Sequence, residues 1–189
     1  MPDDLETLLH RASQRDERAV AELLEQHLPA LRAFVRLKAG PMLLAKESCS
    51  DLAQSVCRDV LENADRFRFG GEPEFRKWLF TTAMRKIADR AEHWRAGKRA
   101  VGREQGGFDE QEVRGYQGIY TPSGQAAARE ELSRVETAFG RLDADKQEVI
   151  LMHRLMGLSH AQIAAELGKS EVAVRSMLSR ALAELAEAL

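Results

Sequence analysis

The sequence predicts an all-α protein of two helical domains joined by a flexible linker, and three observations lead to this prediction. Apolar residues recur every three or four positions in residues 1–100 and again in residues 125–189, which is the spacing of amphipathic helices. Aromatic residues make up only 6% of the 189-residue chain, while alanine, leucine, glutamate and arginine are abundant, a mixture that favours helices. Residues 101–124 contain glycines and a proline without helical spacing, as linkers do.

The first predicted domain, residues 1–100, begins with two helices. The apolar residues of the first helix are Leu5, Leu8 and Leu9. Asp16 offers an N-cap for the second helix, in which Pro29 should produce a kink or a split. Gly40-Pro41 should end this second helix. Its apolar stripe comprises Val20, Leu23, Leu24, Leu28, Leu31, Phe34, Val35 and Leu37.

Two further helices complete the first predicted domain. The third helix follows Ser50, and Gly70 and Gly71 stop it. Its apolar residues are Leu52, Val56, Val60, Leu61 and Ala64. Pro73 is predicted as the first residue of the fourth helix. The buried stripe of the fourth helix is Phe75, Trp78, Leu79 and Ala83, extended by Ile87. No stretch of the sequence alternates regularly enough to predict a strand.

The second predicted domain, residues 125–189, begins with two helices of its own. The stripe of the first is Leu132, Val135, Phe139 and Leu142. Asp143 can cap the next helix, which ends at Gly157. The apolar residues of that helix are Val149, Ile150, Met152 and Leu155.

Residues Gly157–Leu185 predict a helix-turn-helix. Ser159 is a good N-cap for a short helix, Gly168 can adopt the left-handed conformation of a sharp turn, and Ser170 can cap a second helix. The inward-facing residues of the two helices are Ile163, Ala164, Leu167, Val174, Leu178, Ala181, Leu182 and Leu185. This order is typical of the DNA-binding motif whose second helix enters the major groove amino end first. A helical hairpin that serves packing alone is the alternative.

Seven polar residues near the amino end of the second helix are candidate DNA contacts: Lys169, Ser170, Glu171, Arg175, Ser176, Ser179 and Arg180. Arg175 is the best candidate for a base contact, since a guanidinium can donate to two acceptors of guanine at once. Lys169 and Arg180 are better suited to phosphates. Residues 125–189 carry eight basic and ten acidic residues, so we expect this domain to bind DNA weakly without help.

A local surplus of positive charge lies in residues 76–103. This segment has nine basic and two acidic residues, a net charge of +7, in a chain whose formal charge is -2. Such a surplus is typical of a surface that binds a polyanion, most often nucleic acid. A solvated helix face is the alternative interpretation.

The sequence predicts neither an enzyme nor a cofactor or metal site. Cys49 and Cys57 have no histidine at ligand spacing, and neither a phosphate-binding glycine loop nor a nucleophile elbow is present in the sequence. No apolar run approaches the roughly 20 residues of a membrane helix, and the first residues lack the features of a signal peptide. We therefore expect a cytoplasmic protein that does not insert into membranes.

The motifs resemble a bacterial RNA polymerase sigma factor of the extracytoplasmic-function group of the sigma-70 family, along nearly the whole chain. SDLAQSV, Ser50–Val56, is similar to the conserved Asp-Leu-Val-Gln of the second sigma region, and Phe75–Arg90 is similar to the stretch that follows it. Leu142–Leu182 resembles the fourth sigma region from end to end. The two regions occur in the family's order, joined by the predicted linker.

The resemblance implies a set of partners and contacts. In the family, the Asp-Leu-x-Gln helix binds the clamp helices of the polymerase β′ subunit, and the fourth region also meets the β flap. The implied core polymerase contacts are Asp51, Leu52, Gln54 and Arg58. The implied contacts with the promoter minus-10 element are Arg85, Lys86, Arg90, Trp94, Arg95 and Arg99. The helix-turn-helix would read the minus-35 element, and an anti-sigma factor is a further candidate partner.

The sequence departs from the family pattern at three positions. Ser55 stands where an acidic residue commonly follows the Gln of the docking motif, and Arg85 stands where Asn is usual. Met177 replaces a common Arg or Lys of the recognition helix, where it could contact a thymine methyl group or pack inside. Two other functions stay open: a helix-turn-helix regulator that acts without core polymerase, and a sigma mimic that binds an anti-sigma factor.

Overall fold

The computed structural model describes residues 4–66, 71–96, 114–119 and 128–189, and within these ranges the chain forms helices and turns without a strand. The chain divides into two compact units, Met1–Gly107 and Phe108–Leu189. The predicted all-α architecture of two domains is therefore confirmed. The predicted bounds of the linker, residues 101–124, remain a prediction because most of that segment lies outside the described ranges.

The described residues of the first unit form four helices, α1 (Leu5–Ser13), α2 (Glu17–Leu44), α3 (Cys49–Glu62) and α4 (Glu72–Ala96), with a 3-10 turn at Ala64–Arg66. Helices α1, α3 and α4 all pack against α2, and α3 also packs against α4. Phe34 of α2 and Phe80 of α4 are fully buried with their ring centroids 4.9 Å apart. The burial of such apolar surface is the main driving force for this bundle.

Helix α2 begins where the sequence predicts and continues past Pro29. The Asp16 side chain accepts hydrogen bonds from the backbone N–H groups of Arg18 and Ala19, which confirms the predicted N-cap. The predicted kink or split at Pro29 is wrong, because the backbone stays helical there. A proline removes one helical hydrogen bond, but the next turn buries Leu31 completely in the bundle, and this packing holds the helix together.

The backbone leaves helical geometry at Gly40, near the predicted end of the helix. Gly40 has φ 69° and ψ 165°, a conformation in the left-handed half of the map that glycine adopts without a Cβ clash. Pro41 contributes as well, since a residue before proline is pushed toward an extended ψ. One more helical turn then reaches Leu44, so the chain changes direction just before α3.

The starts of α3 and α4 differ from the prediction by one or two residues. Ser48, rather than Ser50, caps α3, and its hydroxyl accepts a hydrogen bond from the Asp51 N–H at 3.0 Å. Helix α4 begins at Glu72, so Pro73 is its second residue, where a missing N–H also costs nothing. Trp78 is half-buried at the edge of the core rather than inside it.

Within residues 128–189 the second unit forms four helices and a π turn: α5 (Ala128–Arg141), α6 (Ala144–Ile150) with the π turn Leu151–Leu155, α7 (His160–Leu167) and α8 (Glu171–Glu187). Asp143 caps α6 as predicted, since its side chain accepts from the Lys146 N–H at 2.9 Å. Helix α8 packs against α5, α6 and α7. Its buried residues are Val174, Leu178, Ala181 and Leu185.

A short 3-10 turn, Tyr116–Gly118, belongs to the second unit although the sequence predicts no helix there. The Tyr116 side chain is fully buried, and its hydroxyl donates a hydrogen bond to the Glu136 carboxylate of α5. A buried tyrosine usually finds such a partner for its hydroxyl. The described part of the predicted linker is therefore attached to the helix that follows it.

The buried His27 should make the first unit sensitive to acid. Its side chain is only 8% exposed and lies 3.9 Å from the Glu72 carboxylate, with its ring against Phe75. Burial, assisted by the nearby Arg76, lowers the pKa of His27 from 6.5 to about 4. The unfolded chain therefore binds this proton first, and the folded unit should lose about 2 kcal/mol of stability between pH 7.5 and pH 5.

Denaturant unfolding followed by tryptophan fluorescence measures this loss, because both tryptophans, Trp78 and Trp94, lie in the first unit. His27→Gln cannot take up the proton and should show a flatter dependence on pH. His10→Gln changes an exposed histidine and should retain the parent's dependence. An unchanged pH dependence in His27→Gln would show that another group is responsible.

Candidate nucleic-acid interface

The helix-turn-helix of the second unit has the geometry that the sequence predicts. Ser159 and Gln162 form a reciprocal capping box at the start of α7, and Gly168 ends this helix in the left-handed conformation at φ 62°. Ser170 then caps α8 by accepting from the Ala173 N–H at 3.2 Å. A side chain at Gly168 would be strained in this backbone conformation, so the sharp turn depends on the glycine.

All seven candidate minus-35 residues lie on the exposed surface of α8 or of the turn before it: Lys169, Ser170, Glu171, Arg175, Ser176, Ser179 and Arg180. The opposite face of α8 is packed through Val174 and Leu178, which are 0% and 5% exposed. The structure therefore brings the predicted residues together on one accessible surface, here called the α8 surface.

Arg175 forms an ion pair with Glu171 on this surface. Its guanidinium donates to the Glu171 carboxylate at 2.9 Å, one helical turn away. Both side chains are well exposed, so solvent screens the pair and it stabilises the fold little. Glu171 also lies at the amino end of α8, where a negative charge is favourable. The pair therefore orients the guanidinium without burying it.

An ion-pair network fixes the other end of α8 to α6. The Lys146 ammonium lies 2.6 Å from the Glu184 carboxylate and 2.9 Å from that of Asp143. These hydrogen bonds raise the pKa of Lys146, with Glu184 as the larger cause, and the Lys146 ammonium in turn lowers the pKa of Asp143. Met177 is half-buried beside this network and lines a pocket with Lys146 and Arg180, so it packs against neighbours.

The predicted core polymerase contacts lie on α3 of the first unit. Asp51, Gln54 and Arg58 are exposed, and their spacing of three and four residues places them on one helix face, here called the α3 surface. The Asp51 carboxylate accepts from the Ser48 hydroxyl at 2.7 Å. Leu52 is fully buried, so its side chain supports α3 from inside the bundle, and its role as a polymerase contact stays a prediction.

A groove of about 440 Å³ runs between α2 and α3 beside the α3 surface. It is lined by apolar residues of both helices together with Arg32, Gln54 and Arg58. Leu61, one of the apolar residues of the predicted third helix, is 38% exposed and lines this groove. Cys57 also lines it, and burial raises the pKa of the Cys57 thiol. A mixed apolar and polar groove of this shape suits a helix of another protein.

The predicted minus-10 residues of α4 fall into two groups. Arg85 and Arg95 are exposed. In contrast, the Lys86 ammonium lies 2.6 Å from the Asp59 carboxylate of α3 with only 19% of its side chain exposed, and Arg90 lies 3.7 Å from Glu47. Both of the latter cations therefore contribute to the packing of α4 against neighbouring segments.

Two further candidates complete the comparison of prediction and structure. Trp94 is half-buried, with its ring edge-on to His93 and its indole N–H buried without an acceptor among the described residues. Arg99 lies outside the described residues. Lys77, counted in the basic surplus of residues 76–103 but not named as a minus-10 contact, is exposed and lies about five helical turns before Arg95 on the same face. Its spacing from Arg95 makes it a further candidate.

The described residues of α4 and α8 supply cations and hydrogen-bond donors. Among all the described residues, no three histidine, cysteine or acidic side chains are placed to hold a metal ion. No helix within the described ranges is both long and apolar enough to cross a membrane. What the exposed surfaces can do chemically is bind a polyanion through α4 and α8 and a protein through the α3 surface and its groove.

Comparison with known proteins identifies relatives of both units. Residues 23–100 match the family described as Sigma-70 region 2, and residues 132–185 match Sigma-70, region 4. The RNA polymerase sigma factor CnrH of Cupriavidus metallidurans is 31% identical over 195 residues, covering 100% of this chain and 96% of CnrH. The ECF RNA polymerase sigma factor SigD of Mycobacterium tuberculosis is 28% identical and covers 96% of this chain and 82% of SigD.

A solved structure gives the same result at the level of the fold. The structure of CnrH in complex with the cytosolic domain of CnrY matches this chain with a TM-score of 0.60 and 26% sequence identity. The match covers 98% of this chain and 96% of that chain.

Proposed function

The chain belongs to the extracytoplasmic-function group of the sigma-70 family, and from that premise we propose how its surfaces divide the work of a transcription initiation factor. The polymerase performs the nucleotide chemistry, and this chain directs it to promoters. The α3 surface binds core polymerase, α4 binds the minus-10 element, and α8 reads the minus-35 element. The observation that supports this division most strongly is the α8 surface, where every predicted contact is exposed opposite a packed face.

Core polymerase binds at Asp51, Gln54 and Arg58 in this proposal. The exposed face of α3 and the adjacent groove accept the clamp helices of the β′ subunit, which supply a helical partner for a groove of this shape. The second unit meets the β flap. The two units then bind one promoter together. Because both are held on the polymerase, the effective concentration of each unit near its DNA element is raised.

The minus-10 element is bound by the basic face of α4. Arg85 and Arg95 are exposed and attract phosphates from the start, with Arg99 continuing the basic run in sequence. Lys86 and Arg90 join them after exchanging Asp59 and Glu47 for phosphates. Trp94 offers a base a stacking surface once its half-buried ring becomes accessible.

The chain also has a proposed regulatory partner and place of action. The relative CnrH was solved with the cytosolic domain of CnrY bound, and we propose that a protein of anti-sigma type binds this chain as well. A factor that acts on RNA polymerase must meet it in the cytoplasm, where we place this protein.

Run-off transcription with purified core polymerase and a promoter library tests the proposed function. The chain should select specific fragments and yield transcripts only when core polymerase is present. Specific binding without core polymerase would indicate an ordinary helix-turn-helix regulator. A lack of binding and of transcript in both cases would instead favour a sigma mimic that binds an anti-sigma factor.

The two groups of α4 cations predict different effects of substitution. Arg85→Ala should weaken promoter binding several-fold and reduce the salt dependence of binding by about one phosphate contact, with the stability of the fold unchanged. Lys86→Ala breaks the 2.6 Å ion pair with Asp59 and should destabilise the first unit by about 1 kcal/mol. Promoter binding at several salt concentrations and denaturant unfolding measure the two effects.

Arg18→Ala removes one exposed positive charge from α2 and serves as the matched control. It should alter neither promoter binding nor stability. Equal destabilisation by Arg85→Ala and Lys86→Ala would contradict the division of α4 into an exposed group and a packed group.

A further inference from the structure

An apolar side chain stands out on the polar α8 surface. Val172 is 74% exposed, more than Met42, Leu61 and Leu189, the other exposed large apolar residues in the described part of the chain. It is the second residue of α8, directly after Glu171. A solitary exposed valine needs no explanation on an ordinary surface, but this position lies at the amino end of the helix that enters the groove.

The position of Val172 on α8 directs its side chain toward solvent. Val174, two residues later and therefore about 200° around the helix, is fully buried. Arg175, Ser176 and Ser179 follow Val172 by three, four and seven residues and so share its face. The valine is thus surrounded by the residues proposed to contact the minus-35 element, and it packs against none of the buried stripe.

Met177, the other apolar residue considered for a thymine contact, is placed differently on α8. Met177 is half-buried and lines the pocket beside Lys146 and Arg180, so it is not directed to the groove as Val172 is. A β-branched residue at an exposed helical position also contributes less to helix formation than alanine would. Helix stability therefore gives no reason for a valine at position 172.

The major groove contains one apolar group that such a side chain can recognise. Among the four DNA bases, thymine alone presents a methyl group in the major groove, at C5. The cations Lys169 and Arg180 on the same surface suit the phosphates that flank a base edge. A valine between these cations would lose its exposure to water on contact with that methyl group.

We propose that Val172 is a specificity-determining residue that contacts the C5-methyl group of one thymine in the minus-35 element. This inference rests on the proposed function of α8 as the helix that reads this element. Arg175 would supply the hydrogen bonds to a neighbouring base, and Val172 would supply the apolar contact.

Single replacements of thymine by deoxyuridine test the inference, since they remove only the methyl group. The parent chain, bound to core polymerase, should lose about threefold to fivefold in promoter affinity at one minus-35 position, the effect of burying one methyl group. Val172→Ala should bind the thymine promoter more weakly by a similar factor and should be insensitive to deoxyuridine at that position. Leu189→Ala, a change of another exposed apolar residue, should behave like the parent.

Two results would overturn the inference. One is a parent chain that is insensitive to deoxyuridine at every minus-35 thymine. The other is a Val172→Ala variant that keeps the parent's full sensitivity. If Arg175→Ala still weakens binding in these cases, only the role of Val172 fails. If core polymerase with the chain selects no promoter, the proposed function fails and the inference fails with it.

Discussion

Arg175→Ala is expected to reduce transcription from a cognate promoter by about tenfold to a hundredfold, with binding to core polymerase unchanged. The guanidinium is exposed and oriented by Glu171 at 2.9 Å, on the surface of α8 outside its packed stripe. A bidentate contact from arginine to guanine contributes about 1–3 kcal/mol of discrimination. Run-off transcription measures the loss, and a pull-down with core polymerase measures the retained binding.

Two further variants show whether Arg175 reads a base or only neutralises a phosphate. Arg175→Lys keeps the charge but loses the two-donor geometry, so it should recover only part of the transcription. Arg141→Ala removes an exposed arginine of α5 and should have little effect. Full activity of Arg175→Lys would contradict base reading by Arg175.

Asp51→Arg should have the opposite effect and lose at least tenfold in affinity for core polymerase. Asp51 is exposed on the α3 surface, and reversal of its charge places a repulsive group in the proposed interface. The free chain should still fold, since Asp51 is exposed on α3 and lies outside the packed core of the first unit. Titration of labelled chain with core polymerase measures the affinity, and circular dichroism monitors the fold.

Asp51→Arg removes the carboxylate that accepts a hydrogen bond from the Ser48 hydroxyl, so two controls accompany this variant. Asp51→Asn keeps a hydrogen-bond acceptor for Ser48 and should lose less affinity. Glu17→Arg makes the same charge reversal in the first turn of α2, at an exposed residue, and should bind core polymerase normally. Normal binding by a folded Asp51→Arg variant would show that the α3 surface is not the docking site.

The sequence was sufficient for features that depend on a few neighbouring residues. Caps such as Asp16, Asp143, Ser159 and Ser170 were predicted and are confirmed, because a cap requires one polar side chain beside its own helix. The left-handed turn at Gly168 was predicted for a similar reason. These local features define the helix-turn-helix and hence the α8 surface.

Features that depend on other helices could not be predicted in this way. The sequence shows the charge of Lys86 but not that Asp59 lies 2.6 Å from it, and it shows Leu52 in a docking motif but not that its side chain is buried. The packing around Pro29 likewise outweighs a local helix breaker. Tyr116 gave no periodic signal, since a single aromatic residue attaches its segment to Glu136.

A comparison of promoter affinity with and without core polymerase tests the central claim most directly. A mobility-shift titration with a selected promoter fragment would use the chain alone, core polymerase alone and the two together. Since we propose that each unit alone binds DNA weakly, we expect specific retardation only for the mixture, with an affinity far above that of either component. Equally tight, specific binding by the chain alone would contradict the claim that its two units need the polymerase in order to bind the promoter together.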